Sequence, residues 1–318
     1  MVERIGPRVT PFNHPPFVIH FLRLVGAIST ALSLDFAIVF RALTSCFDLG
    51  SAILVYKLLK RFDLFTPVRF LLYLLAPATI IISGYHGQTD TLMIFFVLLA
   101  AFFIEKPLLA GIAFGMALSI KIVPFIFAAA FIFYLPRDQR IKFAAAVVGI
   151  SFLFALPYIV QEPALIAREV LGYRSFPGRW GWSRALFSQT GPSALFWFTT
   201  RLAAYLLIAY IWYFTFKMWR KRVPIYTQLS AISFLLIAFT PSWGTNYMSW
   251  LDPFAVTAGA LPGFAYYLTS GALIGYLYFV NPDESTPLSG LCWFVVLIVT
   301  WKFLRHISTV KSHHHLDN

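Results

Sequence analysis

The chain has 318 residues, of which 59% are hydrophobic and 12% charged, against roughly 45 to 50% apolar and about 25% charged in soluble domains. A water-soluble fold of this length would need far more polar surface, so the solvent is lipid. The 25 basic and 13 acidic residues give a net charge of +12, which in a soluble protein would suggest nucleic acid; here its placement follows membrane topology, and no nucleic-acid partner is implied.

A helix needs roughly 20 apolar residues at about 1.5 Å each to cross about 30 Å of hydrocarbon. In chain order, eleven apolar runs lie between polar or Pro/Gly breaks: 36–56, 68–83, 89–104, 107–120, 122–135, 143–160, 194–216, 224–241, 247–261, 264–280 and 288–304. Several hold about 14 residues, about 21 Å at the same rise, and are expected as broken helices, membrane dips or frayed spans. The expected fold class is all-α: a multi-pass membrane protein of about eleven spans, one domain over 1–318, with a long outer loop at 161–193 carrying an amphipathic segment.

Basic residues mark the cytoplasmic ends of spans. With 57–69 placed inside, strict alternation puts 105–106, 136–142, 217–223 and the tail after 302 inside as well. These segments hold Lys57, Lys60, Arg61, Arg69, Lys106, Arg137, Arg140, Lys142, Lys217, Arg220, Lys221, Arg222, Lys302, Arg305 and Lys311, most of the basic residues. The opposite face receives GYHGQTD (84–90), the turn around Lys121, the stretch 161–193, TPSWGTNYMSW (240–250) and NPDESTP (281–287), rich in Trp, Tyr, His, Gln and Asn. Short basic loops on one side and longer, chemically diverse loops on the other put the work outside. At the N-terminus two topologies stay open: 17–34 lies in the interface with the N-terminus outside, or 17–34 crosses and FNHPP is cytoplasmic.

Asp90 closes GYHGQTD at the start of a predicted helix, with His86 and Gln88 just before it. The carboxylate either caps the helix or binds a hydroxyl or metal at the membrane surface. Lys121, between two short apolar runs, either snorkels or binds an anion such as phosphate. In REVLGYRSFPGRWGWSRALF, Arg168, Arg174, Arg179 and Arg184 alternate with Tyr173, Phe176, Trp180 and Trp182. That segment reads either as a solvated amphipathic helix or as guanidiniums for bidentate phosphate contact beside aromatic faces for sugar or prenyl groups. TPSWGTNYMSWLDPF brings Asn246, Tyr247, Trp250 and Asp252 to a turn; Trp and Tyr serve as interfacial anchors, but Asp252 at the start of an apolar run needs a partner. Gly111/Gly115 and Gly271/Gly275 have the small-xxx-small spacing of packed membrane helices. Cys46 and Cys292 lack CxxC spacing, so neither a disulfide framework nor a zinc site is indicated. The Walker A, GxSxG and HExxH patterns are absent.

The ordered set FNHPPF (12–17), GYHGQTDTL (84–92), ALSIKIVP (117–124), GYRSFPGRWGWSRAL (172–186) and TPSWGTNYMSWLDPF (240–254) resembles GT-C glycosyltransferases that use polyprenyl-phosphate sugars, in particular the family 87 mannosyltransferases. The resemblance implies an inverting membrane transferase with its site between outer loops and the bilayer. It implies that His86, Gln88 and Asp90 lie at that site, with Asp90 as the catalytic residue and His14 from FNHPPF among the donor- or acceptor-binding residues. Lys121, Tyr173, Arg174, Arg179, Trp182 and Arg184 would approach the donor, and Tyr247, Trp250 and Asp252 would border the donor or acceptor groove. The resemblance places the family's base on an Asp in the first outer loop after an initial helix; three expectations follow, that the chain lacks its first helix, which the topology favours, that it uses Asp90 alone, or that it is inactive.

The expected function is transfer of a hexose, mannose first, from a polyprenyl-phosphate donor to a lipid-linked or extracytoplasmic acceptor at a prokaryotic plasma membrane. Two alternatives are a transporter or flippase for lipid-linked sugars and a non-catalytic binder of them. A divalent cation is a further candidate partner of the site.

Overall fold

The computed structural model describes residues 14–171, 176–281 and 287–309. The described chain is all-α apart from two strands of two residues each, as the composition requires of an unbroken membrane fold.

Helix α1 (Phe17–Leu32) buries Val18, Phe21 and Val25, one stripe at three- and four-residue spacing. Ser33 ends it in the left-handed conformation (φ 52°). Asp35 then opens α2 (Phe36–Arg61) by accepting the N–H groups of Ala37 at 2.8 Å and Ile38 at 3.3 Å. At the far end of α2, Lys60 and Arg61 meet the negative end of its dipole, and Arg61 donates to the Phe102 carbonyl at 2.8 Å and pairs with Glu105.

Next come α3 (Pro67–Leu74) and α4 (Pro77–Thr79), which widens into a π-helical turn over Ile80–His86. Helices α5 (Asp90–Phe102) and α6 (Pro107–Ile120) form a hairpin, and the chain breaks at Lys121 before a 3₁₀ turn (Val123–Phe127) and α7 (Ala128–Tyr134). Helix α8 (Arg137–Gln161) buries only Phe143 and is a peripheral, lipid-facing helix. It lies hard against α6: a Cβ on Gly111 would stand 2.5 Å from the Phe143 carbonyl oxygen, and one on Gly115 would stand 2.9 Å from that of Val147. The small-residue spacing thus serves helix packing there. Gly271 does the same against Pro77, whereas Gly275 faces open space.

After α9 (Pro163–Ile166) and a π-helical turn (Ala167–Leu171) the chain passes through β1 (Phe176–Pro177) and α10 (Gly181–Thr190) to the long α11 (Ala194–Arg220). Helix α12 (Ile225–Phe239) is buried nearly all round and forms the centre of the bundle. Strand β2 (Ser242–Trp243) pairs antiparallel with β1. Then follow α13 (Tyr247–Ala255), a 3₁₀ turn (Val256–Ala258), α14 (Ala260–Phe279) and α15 (Pro287–Thr309).

All eleven apolar runs become helical. Five described segments, Phe36–Arg61, Pro67–His86, Arg137–Gln161, Ala194–Arg220 and Pro287–Thr309, are long and apolar enough to cross a bilayer. Helices α5, α6, α12 and the 123–134 segment are short, because a helix sheathed by other helices need not cover the hydrocarbon by itself.

Candidate active site

The site begins with Asp90, which has no exposed surface. It is the first residue of α5, yet its carboxylate does not cap that helix. Lys121 Nζ reaches Oδ1 at 2.8 Å and Oδ2 at 2.9 Å, Asn246 Nδ2 donates to Oδ1 at 2.8 Å, and the Trp250 indole N–H also donates to Oδ1. One carboxylate therefore joins the start of α5, the break after α6 and the first turn of α13, segments up to 160 residues apart in sequence.

Lys121 is placed by the break itself. Its backbone is extended (φ −148°, ψ 151°) and its N–H still closes on Ala117 O at 3.1 Å, so it terminates α6, whose negative dipole end favours a cation. Pro124 keeps the helix from resuming at once. The ammonium does not snorkel to water: it pairs with Asp90 and lies 5.5 Å from the centroid of the Trp250 ring. Trp250 stacks on Tyr247 with centroids 3.9 Å apart and planes at 24°.

These groups form the polar end of a cavity of about 480 Å³. His14, Gln88, Lys121, Asn246, Tyr247 and Trp250 line that end, and Phe125, Ile126, Val170, Leu207, Ile208 and Leu236 supply apolar walls. His14 also bonds the Ile120 backbone. Burial, and then the neighbouring Lys121 charge, lower the His14 pKa below its ordinary 6.5 against the opposing pull of Asp90 and Ile120, so its imidazole is neutral at pH 7. Among the described residues no three His, Cys, Asp or Glu side chains cluster as a metal-binding set.

Of the residues singled out from sequence, His14, Gln88, Asp90, Lys121, Tyr247 and Trp250 come together. Asp252 does not join them. Its carboxylate accepts Thr79 N at 3.0 Å, Thr79 Oγ1 at 2.5 Å and Tyr266 OH at 2.9 Å, which ties α13 to α4 and α14. His86 points to the other side of its loop, edge-on to Tyr278 at 5.2 Å. Arg179 is exposed, and Arg184 donates to Ser289 Oγ at 2.7 Å, so neither lines the cavity. Tyr173 and Arg174 lie outside the described residues.

Trp180 and Trp182, with Trp293 of α15, meet the end of α12. The Trp180, Trp293 and Trp182 indole N–H groups donate to the carbonyls of Ile237 (2.8 Å), Ala238 (2.8 Å) and Phe239 (3.0 Å), the last three residues of α12. Those carbonyls have no partner within the helix, and three indoles supply one each. Gly181 (φ +53°) makes room for this, since a Cβ there would sit 2.5 Å from Trp293 Nε1. Trp180 also stacks on Trp243 at 4.8 Å with planes at 9°, alongside the β1–β2 pairing. The apolar cavity walls carry no sequence signal, because every run in this chain is apolar.

Residues 12–171, half of the chain and the half that carries His14, Gln88, Asp90 and Lys121, match the family model of glycosyltransferase family 87. No curated protein and no solved structure matches the chain. With a membrane-embedded bundle, a cavity with a polar cluster at one end and a family match through His14, Gln88, Asp90 and Lys121 of that cluster, the chain belongs to glycosyltransferase family 87 and is a membrane glycosyltransferase.

Proposed function

We propose that the protein is an inverting GT-C hexosyltransferase that moves mannose from a polyprenyl-phosphate donor to a lipid-linked or extracytoplasmic acceptor at the outer face of a prokaryotic plasma membrane. The observation that carries this reading is the two-ended cavity. A cation and an aromatic pair sit at one end and aliphatic side chains line the rest, the profile of a ligand with a phosphosugar head and a hydrocarbon tail.

In this reading Lys121 meets the donor phosphate. Two of its three N–H donors are directed at Asp90, and the third serves the ligand. Asp90, buried and with both oxygens engaged, acts as the carboxylate that aims Lys121 and Trp250. The sugar lies against Tyr247. An acceptor hydroxyl attacks the anomeric carbon from the face opposite the phosphate, and the C–O bond to phosphate breaks. The electron pair leaves with the phosphate oxygen, whose charge Lys121 stabilises. His14, neutral and on the cavity wall, hydrogen-bonds the attacking hydroxyl and takes its proton. Gln88 and Asn246 hold sugar hydroxyls.

The test is incubation of the protein in liposomes with radiolabelled polyprenyl-phosphate mannose and a membrane lipid extract as acceptor. Label in a new glycolipid or glycan, with loss of that product in Lys121→Met, is the expected result. Label that stays on the donor but changes leaflet would favour a flippase, and retained donor without either event would favour a binder; both outcomes refute transfer.

A further inference from the structure

The loop 84–90 has two faces. Gln88 and Asp90 face the cavity and its base, while Tyr85 and His86 face the flank of the bundle, where α2 passes. Arg41 on α2 is exposed and, among the described residues, pairs with no carboxylate. It follows Asp35, which opens α2 at the cavity end, by six residues, so its Cα lies about 9 Å into the span. An arginine facing lipid at that depth is costly without a partner. Its Cζ stands 5.9 Å from the Tyr85 ring centroid, and its charge reaches His86.

The approach is built rather than accidental. Gly87 adopts φ +73°, and a Cβ there would meet Phe40 at 3.1 Å and the Arg41 stem at 3.4 Å, so glycine lets the loop rest on this turn of α2. Tyr85, 53% exposed, packs on Phe279 at 5.2 Å, and His86 packs on Tyr278. The result is a guanidinium, an imidazole and a phenol on a lipid-facing aromatic shelf.

We propose that Arg41, His86 and Tyr85 form a binding site for the phosphate of an anionic phospholipid in the cavity-side leaflet. A guanidinium beside a ring keeps its in-plane N–H donors for two phosphate oxygens. Its flexible stem lets it rise toward the headgroup level. The His86 N–H and Tyr85 O–H supply the remaining donors. Further along α2, Leu49 and Ile53 are exposed and offer apolar contact to acyl chains. The shelf shares its loop with Gln88 and Asp90, so an occupied site would steady the wall of the cavity.

The proposal is tested by native mass spectrometry of the protein released from nanodiscs of phosphatidylcholine doped with phosphatidylglycerol. Wild type should retain one phosphatidylglycerol in preference to phosphatidylcholine. Arg41→Gln should weaken that retention about tenfold, the loss of one charge-assisted donor pair, and Arg41→Lys should keep part of it. His86→Gln and Tyr85→Phe should each weaken it a few-fold, which keeps the test sound if Arg41→Gln misfolds. Retention unchanged across Arg41→Gln and the His86→Gln/Tyr85→Phe pair would overturn the proposal. Displacement of the lipid by inorganic phosphate at equal concentration would overturn the lipid assignment in favour of a soluble anion. Lipid retention is read without sugar transfer, so absence of transferase activity leaves this result standing.

Discussion

Replacement of Asp90 by Asn is the most exacting test of the site. The carboxylate accepts from Lys121, Asn246 and Trp250, with three of the four contacts at 2.8 to 2.9 Å, and it has no exposed surface. An amide of the same shape offers one acceptor instead of two and turns an N–H toward a donor. The Lys121 ammonium, 15% exposed, then loses its counter-charge. Stranding one partner of a buried pair costs about 3–5 kcal/mol, which at roughly 2–4 °C per kcal/mol is a fall of about 6–20 °C in melting temperature. Sugar transfer should fall by at least a factor of about one hundred, as with loss of a preorganised electrostatic group. The decisive assay is a double-mutant cycle in detergent. Lys121→Met removes the charge that Asp90→Asn strands, so the double variant should melt above the value expected from the two singles, by a coupling of about 2–3 kcal/mol. Additive effects, or an Asp90→Asn protein as stable and as active as wild type, would refute the assignment of Asp90 as the anchor of Lys121.

Trp250→Phe keeps a ring against Tyr247 and beneath Lys121 but removes the indole donor to Asp90, and should cost about 1.5–3 kcal/mol in thermal unfolding; an unchanged melting curve would deny that bond its weight. Gly111→Ala forces a methyl to within 2.5 Å of the Phe143 carbonyl oxygen and should destabilise by about 1–3 kcal/mol. Gly275→Ala, with nothing within 4 Å, should be neutral or stabilise by up to about 1 kcal/mol. The depressed His14 pKa has a definite sign: the unfolded chain binds this proton more readily, so the stability it contributes is present above pH 6.5 and is lost as pH falls below that value toward the folded pKa. Melting temperature should therefore drop from about pH 6.5 downward in wild type and less so in His14→Gln, while transfer by wild type persists somewhat below pH 6.5; parallel curves for the two proteins would count against the assignment.

Much of this arrangement can be read from the amino-acid sequence, for identifiable reasons. Asp90, Lys121 and Trp250 stand out because a charged or polar side chain at the end of an apolar run must find a partner, and each found the others. Asp252 stands out by the same logic but is satisfied by Thr79 and Tyr266 in the packing between helices, so the rule that finds buried charges does not distinguish a site from a strut. The tryptophans of 176–190 read as candidate ligand platforms; their indole N–H groups go to the unpaired carbonyls of α12, a demand set by where a helix 57 residues away stops. The short apolar runs, expected as broken helices, dips or frayed spans, are helices too short to cross a bilayer alone, and those near the axis are shielded by protein. Arg41 carried its signal in plain view, an arginine inside an apolar run, and its partners became visible only when Gly87 brought the loop against it.

The capped end of α12 has a further consequence for traffic. Segment 176–190 is fastened to the helix and strand that flank the cavity by two indole–carbonyl bonds, with a third from Trp293, and by the Trp180–Trp243 stack. Undoing these contacts would cost about 4 kcal/mol, an open fraction on the order of one in a thousand. A segment held that firmly stays in place from one turnover to the next, and it buttresses the end of α12 without itself lining the cavity. For the lipid-linked donor proposed above, the expected approach is then from the side, where Ala204, Leu207 and Ile208 of α11 form the cavity wall.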